Sequence, residues 1–168
     1  MGWLWNNTHD IFDIDDGTYP EICLCGLSGQ QVVFGYNLIR AKSRRLSGFP
    51  TFYSLEAMQT FGLDDIGNAA EIVVARHAKP FHFVASNIKF NRANLYDIGF
   101  FIFDNAICFD FKRSPLWGEL EIETLLLLIL AIKQESTEAF IHLGSWAKPD
   151  YRSRLDEALR KLASGEDD

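Results

Sequence analysis

The sequence predicts a single α+β domain, residues 1–168, in which helices pack on a mainly antiparallel sheet. A chain of 168 residues is the size of one domain, and its 48% hydrophobic content with 14 Phe is enough for a well-filled core. Apolar segments at 98–103 and 106–111 flank the two-residue loop Asp104-Asn105, which indicates a hairpin. In the second segment apolar residues alternate with Cys108 and Asp110, which assigns Asp110 to the more polar face. Segments with helical spacing lie before and after this strand-rich stretch, which favours strands and helices in separate layers.

The first half of the chain is expected to contain one strand, over 21–25, followed by helices. Ser28 and Gln31 have the spacing of a capping box, and apolar residues then recur at helical intervals, so we expect an amphipathic helix over 29–44. Its basic C-terminal turn suits the negative end of the helix dipole. Beyond the break at 47–50, the expected helices are 54–61 and one from Asp64 or Asp65 to about His77.

The second half is expected to begin with strands and to end with helices around one further strand. Ser114 and Pro115 have the residue types of an N-cap and a first helical position, and a continuous apolar run follows, so we expect a largely buried helix over 115–134. A charged helix over 149–162 and a polar tail over 163–168 complete the chain. The first expected strand candidate consists of 81–84 and 88–90 and ends at Asn91, and the others are 98–103, 106–111 and 139–143.

The charge of the protein is unevenly distributed. The formal net charge is −7, which disfavours proteins that bind nucleic acid or anionic membranes and favours a basic partner. Residues 1–25 contain five carboxylates and no Lys or Arg, whereas residues 26–48 contain four basic residues and no acid. The basic group is explained by a helix C-terminus, so the acidic N-terminal segment is the more unusual surface.

Eight carboxylates are the candidate partner-binding residues. Aromatic residues near the acidic N-terminal segment favour docking, because interfaces combine aromatic anchors with charges. A solvated acidic loop, or aromatic residues that fasten the N-terminus to the core, would explain the same pattern. The first candidates are Asp10, Asp13, Asp15, Asp16 and Glu21, and the second are Glu119, Glu121 and Glu123.

The sequence contains no signature of common enzyme chemistry. Phosphate-loop, dinucleotide, serine-hydrolase and zinc-protease motifs are absent, so we expect no catalytic residue and no cofactor. Cys23 and Cys25 share one side of the strand, but a metal or redox site would need more ligands or CxxC spacing. Residues 13–17 fail as a calcium loop, because Phe12 and Ile14 fall where carboxylates are required. We therefore expect no metal.

Histidines and thiols leave one enzymatic alternative open. His77 and His82 are expected as a loop histidine and a strand histidine with hydrogen-bonded rings. An unrecognised enzyme would use Cys25 or Cys108 as its nucleophile beside His82.

Several features predict a cytoplasmic protein. The N-terminus has neither the basic nor the apolar part of a secretory signal. The longest apolar run, 125–132, is far shorter than the about 20 residues that cross a bilayer. The three cysteines have no disulfide framework and are expected to be free thiols, with Cys23 and Cys25 buried as small apolar residues.

Four stretches together resemble a family of small bacterial proteins. They are DIDDGTYPEI at 13–22, GLS at 26–28, KPFHF at 79–83 and DIGFFIFDNAICFDFKRSPLW at 97–117. The chain is similar to the immunity proteins of polymorphic toxin and contact-dependent growth-inhibition systems. The resemblance spans most of residues 10–130 and implies a cytoplasmic partner of a toxin domain, with no catalytic residues.

These observations predict a non-enzymatic immunity protein that is monomeric when free and neutralises a basic toxin domain, often a nuclease, by direct binding. A protein-binding accessory or regulatory module unrelated to toxins is the first alternative, and the Cys/His enzyme is the second.

Overall fold

Five helices and nine strands follow one another along residues 2–165, the part of the chain that the computed structural model describes. The α+β class and the mainly antiparallel sheet are confirmed. The helices are α1 (Trp3–Phe12), α2 (Gly29–Lys42), α3 (Ala69–Val74), α4 (Glu119–Lys133) and α5 (Tyr151–Ser164). The strands are β1 (Glu21–Cys25), β2 (Ser43–Leu46), β3 (Thr51–Ser54), β4 (Gln59–Gly62), β5 (Phe81–Phe90), β6 (Ala93–Leu95), β7 (Ile98–Ile102), β8 (Ala106–Phe111) and β9 (Phe140–Leu143).

Seven strands form one antiparallel sheet, in the order β2, β5, β7, β8, β1 and β9, with β6 paired to β5. The expected hairpin is present as β7 and β8, in which Ile102 lies opposite Ile107. Strand β1 lies between β8 and β9, so the beginning and the end of the chain meet in one sheet. Strands β3 and β4 form a separate hairpin.

The two faces of the sheet differ in what covers them. On one face Phe83, Phe100, Phe109 and Ile22 lie in register across four strands, and each is at most 2% exposed. The helices pack on this face and close one continuous hydrophobic core. Alternate residues point to the other face, as the pleat of a strand requires. We call it the open face; its residues are Glu21, Cys23, Cys25, His82, Val84, Gly99, Phe101, Ala106, Cys108, Asp110, Phe140 and His142.

Helix α2 begins as the sequence predicts and lies unusually close to its neighbours. The Ser28 hydroxyl accepts a hydrogen bond from the Gln31 backbone, and the Gln31 side chain accepts one from the Ser28 backbone, which completes the capping box. A Cβ on Gly35 would lie 2.7 Å from Ile107 of β8 and 2.8 Å from Ile132 of α4. Glycine at this position therefore allows the helix, the sheet and α4 to pack together.

Helix α1 was not expected from the sequence. Its apolar residues occur at irregular intervals, but Leu4, Ile11 and Phe12 become buried against the rest of the core. The Phe12 ring packs on Phe111 and Trp117, with centroids 5.0 and 5.2 Å away. Of the two explanations for the N-terminal aromatic residues, fastening to the core applies to Phe12.

The short helix expected over 54–61 is wrong, because that segment belongs to the β3–β4 hairpin. Phe52 lies opposite Phe61 in its register, and the Phe52 ring also contacts Phe81 of the main sheet. Met58 in the connecting turn has a φ of 54°, which a helix does not allow. Burial of Phe52 at the main sheet thus outweighs the local helical spacing.

The ends of several other helices differ by a few residues from those that the sequence predicts. Helix α2 ends at Lys42, and the basic residues Arg44 and Arg45 lie in β2 rather than in its last turn. Helix α3 is only six residues long and is capped by Asn68. Helix α4 begins at Glu119 and not at Pro115, because a turn closed by the backbone of Trp117 and Ser114 precedes it.

The C-terminal helix α5 and the tail also differ in part from the expectation. Helix α5 continues to Ser164, so the start of the expected polar tail is helical, and 166–168 lie outside the described residues. Within residues 2–165, no helix combines the length and apolar character needed to cross a membrane.

Candidate functional site

The acidic residues of the N-terminal segment are mostly bound within the protein. Asp10 forms an ion pair with Arg154 of α5, and Asp16 accepts a hydrogen bond of 2.8 Å from the buried Arg113. Asp13 lies 3.1 Å from the ring of His9. Asp15 is exposed and, within residues 2–165, forms no ion pair. Of this set, Asp15 is therefore the residue most available to a partner.

The three glutamates at the start of α4 also have internal contacts. Glu119 accepts a hydrogen bond of 3.3 Å from the Gly2 backbone, and Glu121 accepts one of 3.1 Å from the Gly118 backbone. Glu123 pairs with Arg92 at 3.0 Å. These carboxylates stabilise the helix N-terminus and its neighbours.

A histidine and an aspartate meet on the open face. Nε2 of His82 on β5 lies 2.9 Å from Oδ1 of Asp110 on β8, although β7 runs between the two strands. Gly99 on β7 makes this contact possible, because a Cβ there would lie 2.1 Å from the Asp110 carboxylate. The His82 ring also packs on Phe101, with centroids 4.4 Å apart. The arrangement fixes an imidazole and a carboxylate on a partly exposed surface.

Glu21 lies next to this pair. It is directly opposite Asp110 in the pairing of β1 with β8. Burial and the negative charge of Asp110 raise the pKa of Glu21, and His82 and His142 offset part of that effect. Glu21 is thus held among like and opposite charges on the sheet, away from the exposed loop in which its acidic sequence neighbours lie.

The expectation that all three cysteines are free is wrong. Cys23 on β1 and Cys108 on β8 lie directly opposite each other and form a disulfide, with Cα atoms 3.9 Å apart. Cys25 remains free and half-buried. No sequence spacing indicated the bond, because the two cysteines are 85 residues apart and only the pairing of β1 with β8 brings them together.

The cysteine chemistry needed by the enzymatic alternative is poorly supported. Cys108 is bonded to Cys23, so it offers no free thiol in this state. Burial and the nearby Glu21 carboxylate raise the pKa of the Cys25 thiol, which lowers the fraction of reactive thiolate. His77 lies in the loop after α3, where it contacts Glu56 at 3.2 Å, and His82 lies in β5. The expected positions of a loop histidine and a strand histidine are therefore confirmed.

A groove adjoins the open face where β8 leads into α4. We call it the end groove; it has a volume of about 510 Å³. Tyr19, Tyr96 and Leu116 line it and are 66%, 58% and 67% exposed. Its charged lining residues are the carboxylates of Asp97, Asp110 and Glu121 and the ammonium of Lys112. The end groove is therefore net negative and has exposed apolar side chains.

Only part of this site could be anticipated. Of the eight candidate carboxylates, Glu121 lines the end groove, and Glu21 lies beside its Asp110. Sequence reasoning missed Asp97, Asp110 and the role of Gly99. The alternation of residues 106–111 did assign Asp110 to a polar face, which is the one signal that pointed toward it.

No family model, no curated protein and no solved structure matches this chain.

Proposed function

We propose that this chain is a non-enzymatic immunity protein that binds and neutralises a basic toxin domain in the cytoplasm, and that the end groove is its principal contact surface. The observation that supports the proposal is the composition of the groove. Three carboxylates and one lysine line it, and three large side chains are more than half exposed there.

The apolar side chains supply the affinity in this proposal. Interface hot spots are enriched in tyrosine and in well-packed central contacts. Tyr19 and Tyr96 have large ring faces and few rotatable bonds, so they lose little side-chain entropy when they are buried against a partner. Leu116 adds an aliphatic anchor beside them.

The carboxylates of the end groove determine which partners bind in this proposal. A negative groove attracts a basic surface during encounter and repels an acidic one, so it accelerates association and rejects wrong partners. Nuclease toxins have basic substrate surfaces, which fit this charge. The general net charge of −7 acts in the same direction at longer range.

Coexpression with the C-terminal domain encoded by a large, toxin-like reading frame upstream of the gene tests the function. We expect a stable complex on purification and rescue of growth in cells that produce the toxin domain. Absence of both the complex and the rescue would contradict the immunity proposal. A complex without rescue would favour the accessory-module alternative.

The contact surface is tested with Tyr96→Ala combined with Leu116→Ala. Loss of hot-spot contacts of about 2 kcal/mol predicts an about 30-fold higher Kd, measured by isothermal titration calorimetry with the purified toxin domain. Phe49→Ala is the matched control, because Phe49 is 99% exposed and does not line the groove. Equal affinities for the double variant and the control would remove the end groove from the interface.

The acidic N-terminal segment is tested separately with Asp15→Lys. Asp15 is the residue to change, since reversing the charge of Asp10 or Asp16 would also break internal ion pairs. If the segment steers the partner, the association rate falls and the difference shrinks as salt is added. An unchanged association rate at low salt would exclude the segment from the interface.

A further inference from the structure

Three atoms of the kind that bind transition metals lie together on the open face. They are a carboxylate oxygen of Glu21 and the sulfur atoms of Cys23 and Cys108, and all lie within 4.8 Å of one another. Sγ of Cys23 is 3.2 Å from Oε1 of Glu21. This cluster takes no part in the proposed contact at the end groove.

The backbone holds the three side chains on the same side of the sheet. Cys23 and Cys108 are paired directly across β1 and β8, and Glu21 precedes Cys23 by two residues. Side chains two residues apart on a strand point in the same direction. Cys23 and Cys108 are only 7% and 4% exposed, so the surrounding structure holds both side chains in place.

The charges around the cluster favour a cation when the cysteines are reduced. Two cysteine sulfurs would then be available beside the Glu21 carboxylate, and Asp110 is directly opposite Glu21 on β8. Among the described residues, His82 is the one imidazole within hydrogen-bond distance of Asp110, and His82 and His142 together offset part of the negative charge around Glu21. A divalent cation bound there would offset the charge of these carboxylates and of the two thiolates that metal binding forms.

We propose that reduction of the Cys23–Cys108 disulfide converts this cluster into a zinc site, with Glu21, Cys23 and Cys108 as ligands and the fourth position open to water. Two thiolates and one carboxylate suit zinc, which accepts sulfur and oxygen ligands in tetrahedral geometry. Calcium and magnesium prefer oxygen ligands alone, so the two sulfur atoms select against them.

The conversion requires a dithiol reductant. The dithiol transfers two electrons and two protons to the Cys23–Cys108 bond, becomes a disulfide itself and leaves two thiols on the protein. Zinc then forms two Zn–S bonds and displaces the two thiol protons to solvent. Because the disulfide has no thiolate to offer, the oxidised cysteine pair and the zinc site exclude each other.

The test compares the oxidised protein with protein reduced by dithiothreitol and desalted without oxygen. We expect the reduced protein to bind one Zn²⁺ in competition with a chromophoric chelator, and the oxidised protein to bind none at this site. With Co²⁺ in place of Zn²⁺, thiolate ligation gives a charge-transfer absorption in the near ultraviolet, which reports the sulfur ligands directly.

Variants identify the ligands. Cys23→Ser and Cys108→Ser should abolish the cobalt absorption. Loss of a residue that only supports a metal ligand lowers metal affinity by about 10–100-fold. Because Glu21 is itself a ligand in this proposal, Glu21→Gln should lower zinc affinity by more than that. Cys25→Ser is the matched control, since Cys25 lies on the same face but outside the cluster. Circular dichroism confirms that each variant is folded.

Three outcomes would overturn the zinc proposal: no Zn²⁺ bound by the reduced protein, unchanged binding in Cys108→Ser, or loss of binding in Cys25→Ser. None of these measurements requires a toxin partner, so the zinc proposal and the immunity proposal are tested independently.

Discussion

Single residues determine whether the polar groups of the open face can meet. Gly99 has no side chain, and the Asp110 carboxylate occupies the space that a Cβ would take, 2.1 Å away. This allows Asp110 to reach across β7 to His82 at 2.9 Å. A glycine inside a strand ordinarily weakens it, and here it allows a close approach that no other residue permits.

Gly99→Ala tests this dependence. The new methyl group forces Asp110 away from His82, so we expect the free energy of unfolding to fall by about 1–2 kcal/mol, measured by urea denaturation. In the Asp110→Ala background the same substitution meets no carboxylate and should be neutral or slightly stabilising. Equal losses in both backgrounds would show that the strand backbone, and not Asp110, requires the glycine.

At the scale of elements, α1 is held against α5 by polar contacts as well as by its apolar side chains. Arg154 pairs with the Asp10 carboxylate and donates a hydrogen bond of 2.7 Å to the backbone of Asn7. The Tyr151 hydroxyl donates one of 3.1 Å to the Asp10 carbonyl. Burial raises the pKa of Asp10, but the hydrogen bond and charge of Arg154 outweigh it and place the pKa below its ordinary value.

Asp10→Asn should therefore destabilise the protein in a pH-dependent way. Because the folded pKa is lowered, the carboxylate contributes fully above its ordinary pKa of 3.8, and this contribution is lost as the pH falls further. We expect a loss of about 1–2 kcal/mol at pH 7 that disappears at strongly acidic pH, measured by urea denaturation across pH. Asp15→Asn is the control and should change nothing. A pH-independent loss would contradict the ion-pair explanation.

At the scale of the whole molecule, the sheet and the disulfide join distant parts of the chain. Strand β1 pairs with β8 and β9, so the N-terminal quarter completes a sheet built mainly from later residues. The Cys23–Cys108 bond then closes a loop with a sequence separation of 85 residues. In the chain-entropy model, such a bond stabilises a protein by restricting its unfolded state.

Removing the cross-link should lower global stability. We expect Cys23→Ser to reduce the free energy of unfolding of the oxidised protein by about 2–4 kcal/mol, measured by urea denaturation without reductant. Reduced wild type without metal should resemble the variant. Cys25→Ser should leave the oxidised protein unchanged, because Cys25 forms no disulfide. A variant as stable as oxidised wild type would mean that the bond contributes nothing to folding.

Local patterns predicted much of the fold. The β7–β8 hairpin, the Ser28 capping box of α2 and the strand at Glu21–Cys25 depend on neighbouring residues, and the structure contains all three. Helix α1 and the β3–β4 hairpin were missed, because burial against distant elements stabilises them more than their own propensities do.

By itself the sequence determined the fold class, the hairpin at Asp104-Asn105 and the excess of negative charge, because composition, periodicity and turn chemistry act over short distances in the chain. Only the tertiary structure decided which carboxylates are free and which cysteines meet. Asp10 is matched to Arg154, and Cys23 to Cys108, by contacts between segments far apart in sequence. The partners of a charge or a thiol are set by strand order and helix packing, which no local pattern specifies.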